Sequence, residues 1–299
     1  MRNLILGASG QIGTEIHRAL FEKGEDVVAT SLSGNSKRNI SVLDITDLSS
    51  VEQIIAEYKP DAVFNAAAFT VADQAESPEG MKQAFLINAM AVTFLARCCA
   101  RRCAKLVHFS SSYVFDGRLE RPYCEEDYPN PISVYGSSKL AGDIGVINAS
   151  DRHLLIRTCG VYGQAAIERG NGSFVEAVIR KIESGIDFGV ITTQRSNLAY
   201  AADVAEAAIH LANGDGGTVN FANLGCTTWF DFASWIRKEI GSGAYPFQTG
   251  HYNSAAARPC NGELDLSLAA RVVPNQLRPW QDALADYLAK RNKQPTTPQ

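Results

Sequence analysis

Residues 3–13 read Asn-Leu-Ile-Leu-Gly-Ala-Ser-Gly-Gln-Ile-Gly, and this stretch decides the fold of the chain. The apolar run Asn3–Leu6 predicts a short buried strand, and the residues from about Gln11 onward repeat apolar side chains at helical spacing. Between them lie three glycines in the arrangement GxxGxxG. Glycines there allow a tight turn that approaches a pyrophosphate closely, and the amides of the helix N-terminus meet its charge. The stretch therefore predicts a dinucleotide-binding strand–turn–helix unit.

The same alternation of short apolar runs and helix-length segments continues through the first half of the chain. Further strands are predicted at Asp26–Thr30, Ala62–Ala67, Lys105–Ser110 and Leu154–Arg157, with a later one near Thr218–Ala222. Helices are predicted at about Val51–Tyr58, at about Met81–Ala104 and from Trp280. Alternating strands and helices are typical of βαβ units, so the sequence predicts an α/β protein with a Rossmann-type doubly wound parallel sheet.

The regular pattern loosens beyond about residue 160, where glycines interrupt the helical segments. We predict a dinucleotide-binding Rossmann domain at residues 1–160, with a returning segment at about 190–225. A smaller, interwoven C-terminal substrate-binding domain is expected at 161–189 and 226–299.

Composition excludes several classes of protein. The 299 residues are 45% hydrophobic and 20% charged, which is ordinary for a globular chain. The formal net charge of −4 provides no basic surface for nucleic acid or an anionic membrane. We expect a cytoplasmic protein without a membrane segment, because no long apolar run or signal-peptide pattern is present. Seven cysteines and five histidines lack metal-ligand spacing, so no metal site is expected.

A second motif, Tyr135-Gly136-Ser137-Ser138-Lys139, places a phenol and an ammonium one helical turn apart. A nearby lysine favours phenolate, so we expect the pKa of Tyr135 to fall toward working pH and the phenol to act as a proton donor. The run Ser110-Ser111-Ser112 ends a predicted strand at the edge where doubly wound sheets bind ligands. Residue reasoning alone leaves open which serine joins Tyr135.

The end of the second predicted strand bears on the cofactor. NAD-binding proteins commonly carry an acidic residue there for the ribose hydroxyl, but this chain has Thr30-Ser31-Leu32-Ser33. Lys37 and Arg38 follow shortly and could bind a ribose phosphate. The sequence thus favours NADPH, with NADH and a purely solvated role for the two cations left open.

Several stretches together resemble one family. They are Tyr113–Gly117 (YVFDG), Pro129–Gly142 (PNPISVYGSSKLAG), Arg157–Thr158, Val161–Gly163 and Arg258–Pro259, in addition to the glycine turn. This combination resembles the dTDP-4-dehydrorhamnose reductases, which are extended short-chain dehydrogenases/reductases. The resemblance implies NAD(P)H-dependent reduction of the 4-keto group of a nucleotide-activated 6-deoxyhexose, and it makes the second domain a sugar-nucleotide domain.

The resemblance also implies roles for individual residues. The catalytic residues would be Ser111, Tyr135 and Lys139. The cofactor would contact Gly7, Ser9, Gly10, Gln11, Ile12, Gly13, Ser31, Lys37, Arg38, Asp44, Ile45, Ala66, Ala67, Ala68, Asn88, Tyr135 and Lys139. The substrate would contact Ser112, Tyr113, Val114, Gly160 and Arg258, with Arg258 gripping the diphosphate.

The chain departs from the family pattern where the sugar is expected. Ser112 replaces an acidic residue, Gly160 replaces an aromatic one, and residues 193–199 differ from the usual run. Loss of the aromatic group at Gly160 predicts room for a bulkier hexose, so the sugar stays open. Family dimers linked by magnesium use surface glutamates, and a homodimer is one expected state. Glu15 matches one such position, but we expect it to be a solvent-facing carboxylate and assign no metal.

Two alternatives to a reductase stay open at this point. One is a nucleotide-sugar epimerase or dehydratase, which would keep tightly bound NAD. The other is a non-catalytic NADP-binding regulatory relative, which would not need Ser111, Tyr135 and Lys139 together.

Overall fold

A parallel sheet forms the centre of the fold. The computed structural model describes residues 1–169, 173–250 and 253–293. Within these residues the strands are β1 (Arg2–Leu6), β2 (Asp26–Ser31), β3 (Ile40–Val42), β4 (Ala62–Asn65), β5 (Lys105–Ser111), β6 (His153–Thr158), β7 (Val161–Tyr162), β8 (Phe188–Ile191), β9 (Arg195–Ser196), β10 (Ala199–Tyr200), β11 (Gly217–Asn220), β12 (Thr227–Thr228) and β13 (Pro246–Thr249). The helices are α1 (Gln11–Glu22), α2 (Leu48–Tyr58), α3 (Ala72–Ala75), α4 (Pro78–Phe85), α5 (Val92–Arg101), α6 (Val134–Ile147), α7 (Gln164–Arg169), α8 (Phe174–Glu183), α9 (Ala201–Leu211), α10 (Trp229–Ile240), α11 (Ser267–Val272) and α12 (Trp280–Lys293).

Seven strands of the described chain pair in the order β11-β6-β5-β4-β1-β2-β3, and every neighbouring pair is parallel. The strand order reverses between β1 and β4, which leaves a crevice at their carboxyl ends where doubly wound sheets hold ligands. The predicted Rossmann-type doubly wound sheet is confirmed.

One strand was not predicted, and the end of another differs from the prediction, each for a local reason. The edge strand β3 was missed because it has three residues, two of them exposed, and so carries no apolar run. Strand β4 ends at Asn65 instead of Ala67, since the following alanines leave the sheet toward the glycine turn.

Alternate residues of the central strands face opposite sides of the sheet, and each side has its own hydrophobic core. In β1, Ile5 packs on the side of α1, α9 and α11, whereas Leu4 and Leu6 pack on the side of α2, α5 and α6. Ile16 and Leu20 of α1 belong to the first of these cores, as their helical spacing predicts.

A third core lies beside the sheet and is built mainly from α8, α10 and α12. Leu198 and Tyr200 also belong to this third core. Ala269 and Val273, which come later in the chain, belong instead to the first sheet core. We propose on this basis that the sheet unit and the smaller unit exchange short segments beyond residue 160. Residues 170–172, 251–252 and 294–299, which the predicted substrate domain includes, lie outside the described residues.

The helical stretch Pro78–Arg101 joins α4 and α5 through a π-helical turn at Leu86–Ala91. In the described part of the chain it is the one stretch long and apolar enough to cross a membrane, judged by length and composition alone. Half of its most apolar window is buried inside the protein. A core helix of a globular fold accounts for this composition.

Helix α6 packs against this stretch with almost no space between the backbones. A Cβ atom added at Gly142 would lie 2.0 Å from the carbonyl oxygen of Asn88. No side chain larger than hydrogen fits at that distance. The close approach therefore fixes the positions of the α6 residues that lie one and two turns before Gly142.

Replacing Gly142 with Ala should therefore lower the free energy of unfolding by about 3 kcal/mol, because the added methyl group must push two helices apart. Urea unfolding measures this loss. Gly250→Ala is the matched control, since a Cβ there meets no heavy atom within 4 Å in the described part of the chain. Equal stabilities of the two variants would contradict the packing argument.

Candidate active site

The glycine turn after β1 forms a cradle at the crevice between β1 and β4. Gly7 has φ of +81°, and a Cβ there would lie 2.5 Å from the backbone nitrogen of Ala67. A Cβ on Gly13 would lie 2.2 Å from the carbonyl oxygen of Gly7. Gly10 caps the N-terminus of α1, so the first amides of a twelve-residue helix point at this turn. The cradle fits the pyrophosphate of a dinucleotide.

The other predicted residues of this turn divide into two groups. Ser9 and Gln11 are partly exposed beside the cradle, at the start of α1. Ile12 instead packs against the sheet core.

The end of β2 borders the same crevice. Ser31 is buried, and its hydroxyl accepts a hydrogen bond from the Gly34 amide at 3.1 Å. Lys37 is exposed on the 3-10 turn Ser36–Arg38, whereas the Arg38 guanidinium pairs with Glu168 at 3.0 Å.

Asp44 and Ile45 follow β3, at the same edge of the sheet as the end of β2. The Asp44 carboxylate accepts hydrogen bonds from the amide and the hydroxyl of Thr46, both at 2.8 Å. Ile45 is buried in the second sheet core. Asp44 is exposed, so of the two side chains it is the one available to a ligand.

The segment after β4 contains the alanines expected beside the cofactor. Ala66 and Ala67 are partly buried against the glycine turn, and Ala68 is exposed. Asn88 lies behind this segment with no exposed surface. Its side chain accepts from the Phe69 amide at 2.9 Å and donates to the Phe69 carbonyl and to the Ser138 hydroxyl, both at 3.0 Å. We therefore correct Asn88 from a cofactor contact to a residue that holds the alanine segment against α6.

The structure brings Ser111 and Tyr135 together. Ser111 ends β5, and Tyr135 lies in the first turn of α6, where the Ser111 side chain is close enough to favour the ionised form of the Tyr135 phenol. The Tyr113 ring packs edge-on against Tyr135, with 5.5 Å between ring centroids. Ser111 also accepts from the Tyr113 amide at 3.2 Å. This geometry favours Ser111 over Ser110 as the partner of Tyr135, because the Ser110 hydroxyl donates to Asp143 at 2.5 Å.

The expected lowering of the Tyr135 pKa by Lys139 is wrong. Burial raises the pKa of Tyr135 to about 12, and the hydrogen bond with Ser111 only partly opposes this. The Lys139 ammonium donates to the Phe109 carbonyl at 2.6 Å and lies 3.4 Å from Nε2 of His108. Desolvation therefore dominates the pKa of Tyr135, and the phenol stays protonated at neutral pH.

A buried polar cluster surrounds Lys139 and was missed in the sequence. It comprises Asn65, His108, Ser110 and Asp143, with Nδ2 of Asn65 3.1 Å from Nδ1 of His108. Asp143 is eight residues after Tyr135, so a YxxxKxxxD reading would have placed it on the same helical stripe. Strand residues such as His108 carry no comparable signal.

A cavity of about 470 Å³ opens beside Tyr113. Its lining includes Tyr113, Phe174, Lys181, Gln194, Trp229 and Arg258. Arg258 makes a paired contact with Asp73, with nitrogen–oxygen distances of 3.1 and 2.8 Å, and the guanidinium lowers the pKa of that carboxyl. Phe174 and Trp229 form a tilted aromatic pair whose ring centroids are 4.6 Å apart. The cavity thus combines two cations with an aromatic wall, a combination suited to a phosphorylated ligand with a planar ring.

Two of the predicted substrate contacts, Ser112 and Val114, are buried. Ser112 is buried near Gly262 and Ser196. Val114 is fully buried in the sheet core, so its assignment as a substrate contact is corrected to a packing role.

The predicted extra room at Gly160 is absent. Gly160 has φ of +52°, and a Cβ there would lie 2.3 Å from a methyl carbon of Leu198 and 3.5 Å from Cη2 of Trp229. The Trp229 indole, which comes from α10, therefore borders the region where the family has an aromatic residue in place of Gly160.

Glu15 is not the solvent-facing carboxylate that the sequence suggested. It is 1% exposed on α1, a helix that packs against α9 and α7, and it pairs with Arg18. Among residues 1–169, 173–250 and 253–293, no three His, Cys, Asp or Glu side chains group as a metal site.

The strand order, the glycine cradle and the Ser111–Tyr135–Lys139 arrangement define an extended short-chain dehydrogenase/reductase. Comparison of the whole chain identifies the particular family: residues 1–293 match the RmlD substrate binding domain family, and the chain belongs to it.

Similar proteins share the full length of the chain. The spore coat polysaccharide biosynthesis protein SpsK of Bacillus subtilis is 32% identical over 291 residues, which cover 97% of each chain. The dTDP-4-dehydrorhamnose reductase of Aggregatibacter actinomycetemcomitans is 32% identical over 304 residues, covering 96% of this chain and 98% of the other. The structure of the dTDP-4-dehydrorhamnose reductase of Bacillus anthracis in complex with NADP superposes with a TM-score of 0.86 at 29% identity, covering 97% and 99% of the two chains.

If Lys37 and Arg38 bind a ribose phosphate, the double replacement Lys37→Ala and Arg38→Ala should raise KM for NADPH about tenfold and leave KM for NADH nearly unchanged. Initial rates with each cofactor measure this. Arg101→Ala is the control, because it removes a comparable surface ion pair with Glu52. A parallel loss with both cofactors would assign the two cations to structure alone.

Proposed function

We propose that this protein catalyses the NADPH-dependent reduction of the 4-keto group of a nucleotide-activated 6-deoxyhexose. The proposal takes dTDP-4-dehydrorhamnose as the first substrate, since similar proteins carry that activity in their names. The observation that carries it is the Ser111–Tyr135 hydroxyl pair, which lies at the sheet edge with Tyr113 between it and a cavity containing Arg258. A cytoplasmic enzyme and a homodimer are part of the same proposal.

The glycine cradle, Ser31, Asp44 and the alanines after β4 would hold the cofactor. Bound NADPH supplies a hydride to a carbonyl carbon. The remaining chemistry belongs to this chain, because the carbonyl oxygen becomes an alkoxide and needs a proton.

Tyr135 is placed to donate that proton. Its pKa of about 12 keeps the phenol protonated at neutral pH, yet an alkoxide is basic enough to take the proton from it. The Ser111 hydroxyl would hydrogen-bond the same substrate oxygen and hold it in position. Lys139 contributes a positive charge below the phenol, which stabilises the phenolate left after transfer.

The second unit would bind the rest of the substrate. Arg258 carries a planar fork that suits a diphosphate, and its contact with Asp73 orients the guanidinium before binding. The Phe174–Trp229 pair would cover an apolar ring face of the substrate, and Trp229 beside Gly160 would limit the size of the sugar.

The test is NADPH oxidation with dTDP-, UDP-, GDP- and CDP-4-keto-6-deoxy sugars, with the product identified by NMR. Stoichiometric NADPH consumption with a 4-hydroxy product supports the proposal. Substrate conversion without net NADPH consumption, by protein purified with bound NAD, would instead identify an epimerase or dehydratase.

Tyr135→Phe should lower kcat by about a hundredfold or more while NADPH binding is retained, because the proton donor is lost without a change in ring packing. Stopped-flow rates and NADPH titration measure the two effects. Tyr58→Phe serves as the control, since its hydroxyl bonds Asp26 away from the site. Wild-type kcat in the Tyr135 variant would remove this residue from catalysis.

Arg258→Ala should raise KM for the sugar nucleotide about tenfold, with a smaller change in kcat, because charge-assisted hydrogen bonds to the diphosphate are lost. Arg278→Ala is a matched control: that guanidinium also pairs with an aspartate at 2.8 Å, but at Asp203. An unchanged KM in the first variant, or an equal rise in both, would contradict a diphosphate role.

A further inference from the structure

We propose that Asp143 is a positioning residue that supplies the negative charge needed to keep the buried Lys139 protonated, with His108 as the neutral group between them. This inference deepens the proposed function. It rests on that function only for the role of Lys139 in stabilising the phenolate of Tyr135. The charge pair itself can be tested without the substrate.

The helix places the three groups on one stripe. Tyr135, Lys139 and Asp143 are spaced by four residues each along α6, so they follow one another at successive turns. Lys139 and Asp143 are 2% and 1% exposed. A buried ammonium tends to lose its proton, and a buried carboxylate tends to gain one, unless each has the other nearby.

Groups from three strands face this stripe. Strand β5 contributes His108, whose Nε2 lies 4.0 Å from Oδ1 of Asp143, and Ser110, which donates to Oδ2. Strand β4 contributes Asn65, and strand β6 contributes Arg157, whose charge acts on Asp143 from the far side. The Arg157 guanidinium is already bonded to the Glu125 carbonyl at 2.9 Å and lies over the Phe115 ring.

His108 does not add a competing charge. Burial and the neighbouring Lys139 lower its pKa well below the ordinary value, so the imidazole is neutral. Nε2 of the ring accepts from the Lys139 ammonium at 3.4 Å and lies 4.0 Å from Oδ1 of Asp143, so the imidazole bridges the two charged groups. Oδ1 of Asp143 has no hydrogen-bond partner among residues 1–169, 173–250 and 253–293, so at this oxygen the carboxylate depends on the charge of Lys139 and not on a hydrogen bond.

The two charges support each other over a limited pH range. Burial lowers the pKa of Lys139 to about 8, and Asp143 opposes that fall. Burial raises the pKa of Asp143 to about 6, and Lys139 and Ser110 oppose that rise. Asp143 loses its charge as pH falls through the lower value, and Lys139 loses its charge as pH rises through the upper one. Turnover should therefore be greatest between the two values.

Asp143→Asn tests the pair, because the amide keeps an acceptor for Ser110 but removes the charge. We expect the pKa of Lys139 to fall by about one unit or more. Carbon NMR of the lysine ε-carbons follows this titration directly, with the Lys139 signal assigned from its loss in Lys139→Arg. The alkaline limb of the kcat–pH profile should move to lower pH by the same amount.

Glu176→Gln is the matched control. Glu176 is also a buried helical carboxylate, but it bonds the Tyr287 hydroxyl at 2.7 Å and Arg291 at 3.0 Å in the third core. Its replacement should lower thermal stability without moving the Lys139 titration or either pH limb. An unmoved Lys139 titration in folded Asp143→Asn would overturn the inference.

Ser110→Ala provides a second variant in case Asp143→Asn does not fold. It removes a hydrogen bond that stabilises the Asp143 charge, so the acid limb of the profile should move to higher pH. An unchanged acid limb would count against the inference. If the wild-type protein reduces no sugar nucleotide, the proposed function fails, but the NMR titration still decides whether Asp143 holds the lysine charge.

Discussion

Burial of the Lys139 ammonium beneath the carboxyl ends of the strands is the constraint on which the site depends. Desolvating this group is costly, so the chain surrounds it with the Phe109 carbonyl, His108 and the Asp143 carboxylate. The same packing holds α6 against the sheet and against the helical stretch Pro78–Arg101, where Gly142 allows backbone contact. Tyr135 is placed beside Ser111 as a consequence of that close fit.

In the proposed function, the second unit provides the selectivity for the substrate. The cavity beside Tyr113 is lined by α8, β8 and residues far along the chain, so the substrate would meet groups that the Rossmann half lacks. The Arg258–Asp73 contact ties the late segment to the helix that follows β4. Under the proposed function, substrate choice would therefore depend on Trp229 and the β8 region and not on the sheet.

Much of this arrangement could be predicted from the sequence because its signals are local. Apolar runs marked the central strands, and the glycine turn and the Tyr135–Lys139 spacing marked the two halves of the site. The errors fell where a residue's surroundings come from distant segments. Glu15 was expected in solvent but is buried on a helix that packs against α9, Asn88 is enclosed by Phe69 and Ser138, and Val114 points into the core.

By itself, the sequence determined the Rossmann-type sheet, the glycine turn after β1 and the spacing of Tyr135 and Lys139, since each depends on residues close together in the chain. Tertiary structure alone decided the electrostatics. Desolvation raises the pKa of Tyr135 although a lysine lies one turn away, because the ammonium is bonded to the Phe109 carbonyl and the surrounding protein keeps water from much of the phenol. It also decided the shape of the substrate cavity, where Leu198 and Trp229 occupy the space that a glycine at 160 was expected to leave open. Both outcomes depend on which distant groups pack together, and spacing along the chain does not encode that.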